Sequence, residues 1–97
     1  MTLYRIRYTP TASSTIRHLH PSVKQAIREA IRGLSNDPFR GLPLTFELSG
    51  FRSLRVSRYR VIYRVDESKR AVEIHLVGGR KDIYEVFRQL ITRAPQS

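Results

Sequence analysis

The residues of this chain whose types and spacing can do chemistry are arginines and a tyrosine, set in segments with two-residue alternation. In Leu54-Arg55-Val56 an apolar pair flanks one cation. In Tyr59 to Asp66, Val61, Tyr63 and Val65 fall on one side and Arg60, Ile62 and Arg64 on the other. In Ala71 to Val77, Val72, Ile74 and Leu76 fall on one side and His75 on the other. If the apolar sets face a core, Arg55, Arg60, Arg64 and His75 converge on the opposite surface. Arg80 follows the Gly78-Gly79 break and can swing across that surface, and Tyr84 stands just off the apolar stripe of a final helix, where it can flank a groove. Arginines with an aromatic and no carboxylate pair fit phosphoryl transfer, which is catalysed mainly by positioning and by stabilising charge on the phosphate oxygens. RNA brings its own nucleophile, the 2′-hydroxyl, so such a site can cut RNA without a metal, an activated water or a covalent intermediate. Tyr84 would stack on a base or orient that hydroxyl. Beside this reading, Arg58 and Arg64 read first as solvated strand charges, Tyr63 as core and His75 as a passive residue of the sheet surface.

The elements that must position these groups follow from hydrophobic period. Leu3 to Tyr8 reads as a strand that Pro10 ends. Ile16, Leu19, Val23, Ala26, Ile27, Ala30, Ile31 and Leu34 recur at helical spacing, and Pro21 divides them into two helices, about 11–19 and 21–35, forming a hairpin. Arg40 to Pro43 reads as a loop. Leu44 to Leu48 and Phe51 to Ser57 read as strands joined at Ser49-Gly50; Tyr59 to Asp66 and Ala71 to Val77 follow as strands with a turn at Asp66-Glu67-Ser68-Lys69. A last helix spans about Asp82 to Thr92, with Ile83, Val86, Phe87, Leu90 and Ile91 on one stripe. The order predicts an α+β fold: an N-terminal strand, a helical hairpin packed on the apolar face of a curved antiparallel sheet, and a C-terminal helix, with the other face of the sheet free.

Bulk properties narrow the partners. The 97 residues are expected to form one domain over 1–97, with room for a single core and a shallow surface groove. Eighteen cations against eight anions give a net charge of +10, and 15 of the cations are arginine, whose planar fork binds phosphate bidentately and stacks on bases. That excess suits a polyanion, nucleic acid or the ribosome. Cysteine is absent and the three histidines are scattered, so no disulfide, metal site or cofactor is expected. No apolar run approaches the roughly 20 residues of a membrane span, and the opening MTLYRIRYTP lacks the apolar core of a signal peptide, so a cytoplasmic protein without a membrane partner is expected.

The segment Leu48-Ser49-Gly50-Phe51-Arg52-Ser53-Leu54-Arg55-Val56, then Tyr59-Arg60-Val61-Ile62-Tyr63-Arg64-Val65 and Val77-Gly78-Gly79-Arg80-Lys81-Asp82-Ile83-Tyr84, resembles the C-terminal half of RelE/ParE-type toxins. The Pro-Thr-Ala start of the first helix, the helical hairpin and Leu34-Ser35-Asn36-Asp37-Pro38 at its end fit the front half. The resemblance implies a toxin of a type II toxin-antitoxin system. Its RelE branch implies an endoribonuclease that enters the ribosomal A site and cuts messenger RNA, leaving a cyclic phosphate and a 5′-hydroxyl, held inactive by the wrapping tail of a cognate antitoxin. By position, the branch's basic strand residue falls on Arg55, the arginine after tyrosine on Arg60, the arginine after the glycine turn on Arg80 and the tyrosine near the terminal helix on Tyr84. Arg52, Arg58, Arg64 and Lys81 surround these positions and are expected to add contacts to nucleic acid. Two places depart from the pattern. Ser53 stands where some members have a second lysine, and Leu42 precedes Pro43-Leu44 where other members carry a glutamate general base. Arginine is a poor proton acceptor at neutral pH, which leaves His75 as the nearby candidate base. The ParE branch implies the alternative, a non-enzymatic inhibitor of DNA gyrase on the same fold.

Overall fold

Proline at the first helical turn sets both helices of the hairpin. The computed structural model describes residues 3–79 and 83–93. In it, the Thr9 hydroxyl accepts the Ala12 N–H at 3.1 Å and Pro10 opens α1 (Pro10–Arg17). His20 Nδ1 faces the Ser22 N–H at 3.3 Å, and Pro21 opens α2 (Pro21–Gly33). Five strands follow the order β1-β5-β4-β3-β2: β1 (Arg5–Tyr8), β2 (Leu42–Pro43), β3 (Arg52–Val56), β4 (Tyr59–Asp66) and β5 (Ala71–Gly79). All neighbours are antiparallel except β1, which runs parallel to β5. The last helix is α3 (Ile83–Arg93). No helix among the described residues is long and apolar enough to cross a membrane.

The hairpin buries Ala12, Ile16, Ile27, Ile31 and Leu34 against Leu54, Val61, Tyr63, Val72, Ile74 and Val77 on one face of the sheet. On the other face α3 lays Ile83 and Phe87 over Ile62, Leu76 and Leu48. The second core corrects the sequence reading, which left that face bare. Ile62, sharing its side of β4 with Arg60 and Arg64, is fully buried because α3 needs an apolar floor.

Two further expectations change. Leu76 was assigned to the hairpin face, but Ile62 pairs with Leu76 while Tyr63 pairs with Ile74, so β5 carries one extra residue between them. This β-bulge at His75 inverts the alternation, sending His75 and Leu76 to the α3 face and Val77 to the hairpin core. The strand expected over Leu44 to Leu48 is instead a 3-10 turn, Phe46–Leu48, and the pairing with β3 is made by Leu42–Pro43, within the expected loop. A strand would carry Leu44, Phe46 and Leu48 on one face. The turn, with φ of +55° at Phe46, lets Leu44 and Leu48 enter the α3 core while Phe46 stays 87% exposed.

Tyr63 fixes the loop between α2 and β2. Its ring lies in the hairpin core, and its hydroxyl donates to Pro38 O at 2.8 Å and accepts the Gly41 N–H at 2.9 Å. Gly41 is required there, since a Cβ would stand 2.8 Å from that hydroxyl and 2.9 Å from Ser53 O. Tyr63→Phe keeps the ring and leaves a buried N–H and C=O unpaired, so urea unfolding should show a loss of about 1–3 kcal/mol; an unchanged midpoint would mean that water replaces the phenol.

Candidate functional site

The β3–β4 hairpin turns in two residues, Ser57 and Arg58, with φ of +56° at Ser57. Val56 and Tyr59 close the turn, and the next pair along is Arg55 opposite Arg60. In a hairpin of this kind that second pair lacks mutual hydrogen bonds, which brings its Cα atoms to about 4.5 Å and its side chains together. Like charges placed directly opposite destabilise a sheet. Three arginines elsewhere are ion-paired: Arg40 meets Asp37, Arg64 meets Glu73, and Arg88 meets both Glu47 and Glu85. Among the described residues no such ion pair is formed by Arg55 or Arg60, so their field is available to an anion from solution.

On its β5 side Arg60 pairs with Gly78. A Cβ at Gly78 would come 3.2 Å from Ile83 Cδ1, so the glycine lets the start of α3 settle against the sheet beside Arg60. The next residue of α3, Tyr84, reaches the next row of the sheet, where its hydroxyl lies 2.9 Å from Ser53 Oγ. Ser53 is two residues from Arg55 on the same face and is 8% exposed. The result is a surface patch with two arginines side by side in one row, Arg60 leaning on Tyr59 O at 3.5 Å, and an anchored phenol above the row beside it.

Sequence reasoning brought Arg55, Arg60 and Tyr84 to this patch, and the structure places them together. Ser53 was noted only as a missing lysine; a small polar residue in phase with Arg55 is the signal that something must reach it. Arg58 lies exposed in the hairpin turn, next to the arginine row. Arg64 is on the same face but two rows from Arg60, bound to Glu73 at 3.1 Å. Arg52 corrects the expectation of a nucleic-acid contact: it pairs with Tyr63 on the opposite face, donates to Gly41 O at 3.0 Å and Phe39 O at 3.1 Å, and lies over the Phe39 ring. Its guanidinium is a clamp on the loop. Arg80 and Lys81 lie outside the described residues.

Comparison with known proteins places this architecture. Residues 6–84 match the family model described as the ParE toxin of the type II toxin-antitoxin system parDE. Toxin RelG of Mycobacterium tuberculosis is 41% identical over 83 residues, which cover 84% of this chain and 95% of that protein. The chain belongs to the RelE/ParE superfamily of type II toxins. Toxin RelE of the same organism is 34% identical to it, over 86% of the chain and 88% of that protein. The crystal structure of the RelBE2 toxin-antitoxin complex of M. tuberculosis superposes on the toxin with a TM-score of 0.76 at 39% identity, over 84% of the chain and 97% of that one. The isolated Escherichia coli RelE toxin, 20% identical, shares the fold with a TM-score of 0.69, over 91% of the chain and 98% of that one.

His75 of this toxin is where the sequence reading fails. It stands three residues along β5 from Gly78, about 10 Å from the position opposite Arg60. Its ring packs edge-on against Phe51 at 5.1 Å and Phe87 at 6.0 Å, and its Nε2 lies 3.4 Å from Glu73. A general base must reach the proton it removes, and from beneath α3 this imidazole does not reach the arginine row. Burial pushes its pKa below the usual value, against the pull of Glu73, so it is neutral at pH 7. Since the folded-state pKa is the lower one, the stability from neutral His75 is present above about pH 6.5 and is lost as the pH falls towards the folded value. Urea unfolding at about pH 7.5 and about pH 5 should show a smaller acid-induced loss in His75→Phe than in the native toxin; an equal loss in both would place the titration elsewhere.

Proposed function

We propose that this toxin is a metal-independent endoribonuclease that cuts messenger RNA in the ribosomal A site. The observation that carries the reading is the opposed pair Arg55 and Arg60 with the Tyr84 hydroxyl anchored on Ser53 in the adjacent row. The substrate's 2′-hydroxyl gives its proton to water as its oxygen attacks the neighbouring phosphorus, the bond to the 5′-oxygen breaks, and that oxygen takes a proton back from water, leaving a cyclic phosphate and a 5′-hydroxyl. The charge that builds on the non-bridging oxygens is what two converging guanidinium groups stabilise. Arg60 takes the phosphate, Arg55 holds the backbone, and Arg80, next after Gly79 in the chain, supplies the third cation. Tyr84 orients the ribose or stacks on its base. Arg58, exposed in the β3–β4 turn, extends the cationic surface, and Lys81, next after Arg80 in the sequence, is a further cation for it.

The relatives supply the context. One similar structure is that of a toxin-antitoxin complex, and a cognate antitoxin whose tail wraps this chain is the corresponding partner. A ribosomal target makes the cytoplasm the place of action. The family model bears the name of the ParE branch, which favours a second reading, a non-enzymatic inhibitor of DNA gyrase. That activity has no need of two opposed arginines and a phenol in one patch.

Incubating the toxin with a defined message, either translated by ribosomes or free of them, then mapping 5′ ends, separates the two. Cuts at ribosome-occupied codons are expected, reduced about 100- to 1,000-fold by Arg60→Ala or Arg55→Ala, the usual cost of losing one preorganised donor. Intact message together with inhibited supercoiling by gyrase would establish the second reading.

A further inference from the structure

Leu42 is 75% exposed on an edge strand of two residues, a position where sheets ordinarily carry a charge. Its backbone is held on both sides. Buried Gly41 before it accepts from Arg52 and donates to the Tyr63 hydroxyl, Pro43 after it has a fixed φ, and the Leu44 N–H donates to Phe51 O at 2.9 Å. The chain therefore spends a buried tyrosine, an arginine and a glycine that tolerates no Cβ on a segment whose middle side chain points into water. A lone exposed leucine is ordinary on a protein surface; what sets Leu42 apart is a backbone anchored on both sides beside the Ser53–Tyr84 pair.

Where it points is set by register. Leu42 pairs with Ser53, so the two share a face, and Ser53 is the residue that anchors Tyr84. The row formed by Leu42 and Ser53, with the Tyr84 hydroxyl above it, lies two residues along β3 from Arg55, about 7 Å. A phosphate held between Arg55 and Arg60 leaves an adjoining nucleoside over that row.

We infer that Leu42 is a specificity-determining residue: with Tyr84 it forms an apolar clamp on the base next to the phosphate that is cut. The assignment rests on the nuclease reading. Leucine has no hydrogen-bonding group to read a base edge, so it selects by contact area with the base face, and purines offer more of it than pyrimidines.

The test compares the native toxin, Leu42→Ser, Leu42→Phe and Arg60→Ala on ribosomes programmed with messages of randomised codons, sequencing the new 5′ ends and measuring kcat/KM. Leu42→Ser should lower kcat/KM about tenfold, as expected from removing apolar contact with one base, and flatten the purine preference beside the cut. Leu42→Phe should keep both, and the urea midpoints of the two Leu42 variants should match the native one, since the side chain is outside the cores. Leu42→Ser cutting the same sites at the native rate would overturn the inference. So would a uniform loss with the base preference intact, which would make Leu42 a general support. If the native toxin leaves every message whole, the nuclease reading itself falls and the clamp with it; activity in the native toxin that Arg60→Ala abolishes tells that failure apart from the others.

Discussion

Ile62 and Tyr63 are neighbours on β4, point to opposite faces of the sheet and are both fully buried. A strand sealed on both faces cannot shift by one residue without carrying two cores into water, so the register of everything paired to it is fixed. On the β3 side that register sets Arg55 opposite Arg60 and Ser53 opposite Ile62. On the β5 side it forces the bulge at His75, because Leu76 must meet Ile62 under α3 while Ile74 and Val77 stay with the helical hairpin. The placing of Arg55 directly opposite Arg60 is thus a consequence of the apolar packing that fixes β4.

Electrostatics then act on a scaffold already set. With a net charge of +10 the chain has few anions to spend, and the described ones sit away from the β3–β4 turn: Glu29 in α2, Asp37 after it, Glu47 and Glu85 around Arg88, Asp66 and Glu67 at the other end of β4, Glu73 between Arg64 and His75. Arg55 and Arg60 repel one another across the strands, a local cost that the two cores offset and that an anionic ligand removes. The same economy applies to Tyr63 and Arg52, whose polar ends are used on the loop carrying Leu42. None of the described acids is an ion-pair partner of Arg55, Arg58 or Arg60.

Much of this was written in the chain itself. Pro10 and Pro21 fix the starts of α1 and α2 by removing an N–H that a helix does not use there, and the alternation from Tyr59 to Val65 fixes which side chains of β4 travel with Arg60. Both are local rules, readable without knowing what lies across the sheet, and the alternation sufficed to put Arg55 and Arg60 on one face. The helical stripe ending at Ile91 was legible too, though not the face that it covers. Tertiary structure alone decided that α3 lies on the arginine side, that β1 runs parallel to β5, that a bulge turns His75 under Phe51 and Phe87, and that Arg52 faces away from the patch. The reason is physical: period two gives the relative phase of side chains within a strand, whereas a bulge, a strand direction or the choice between two apolar faces is settled by non-local packing, which no single segment contains.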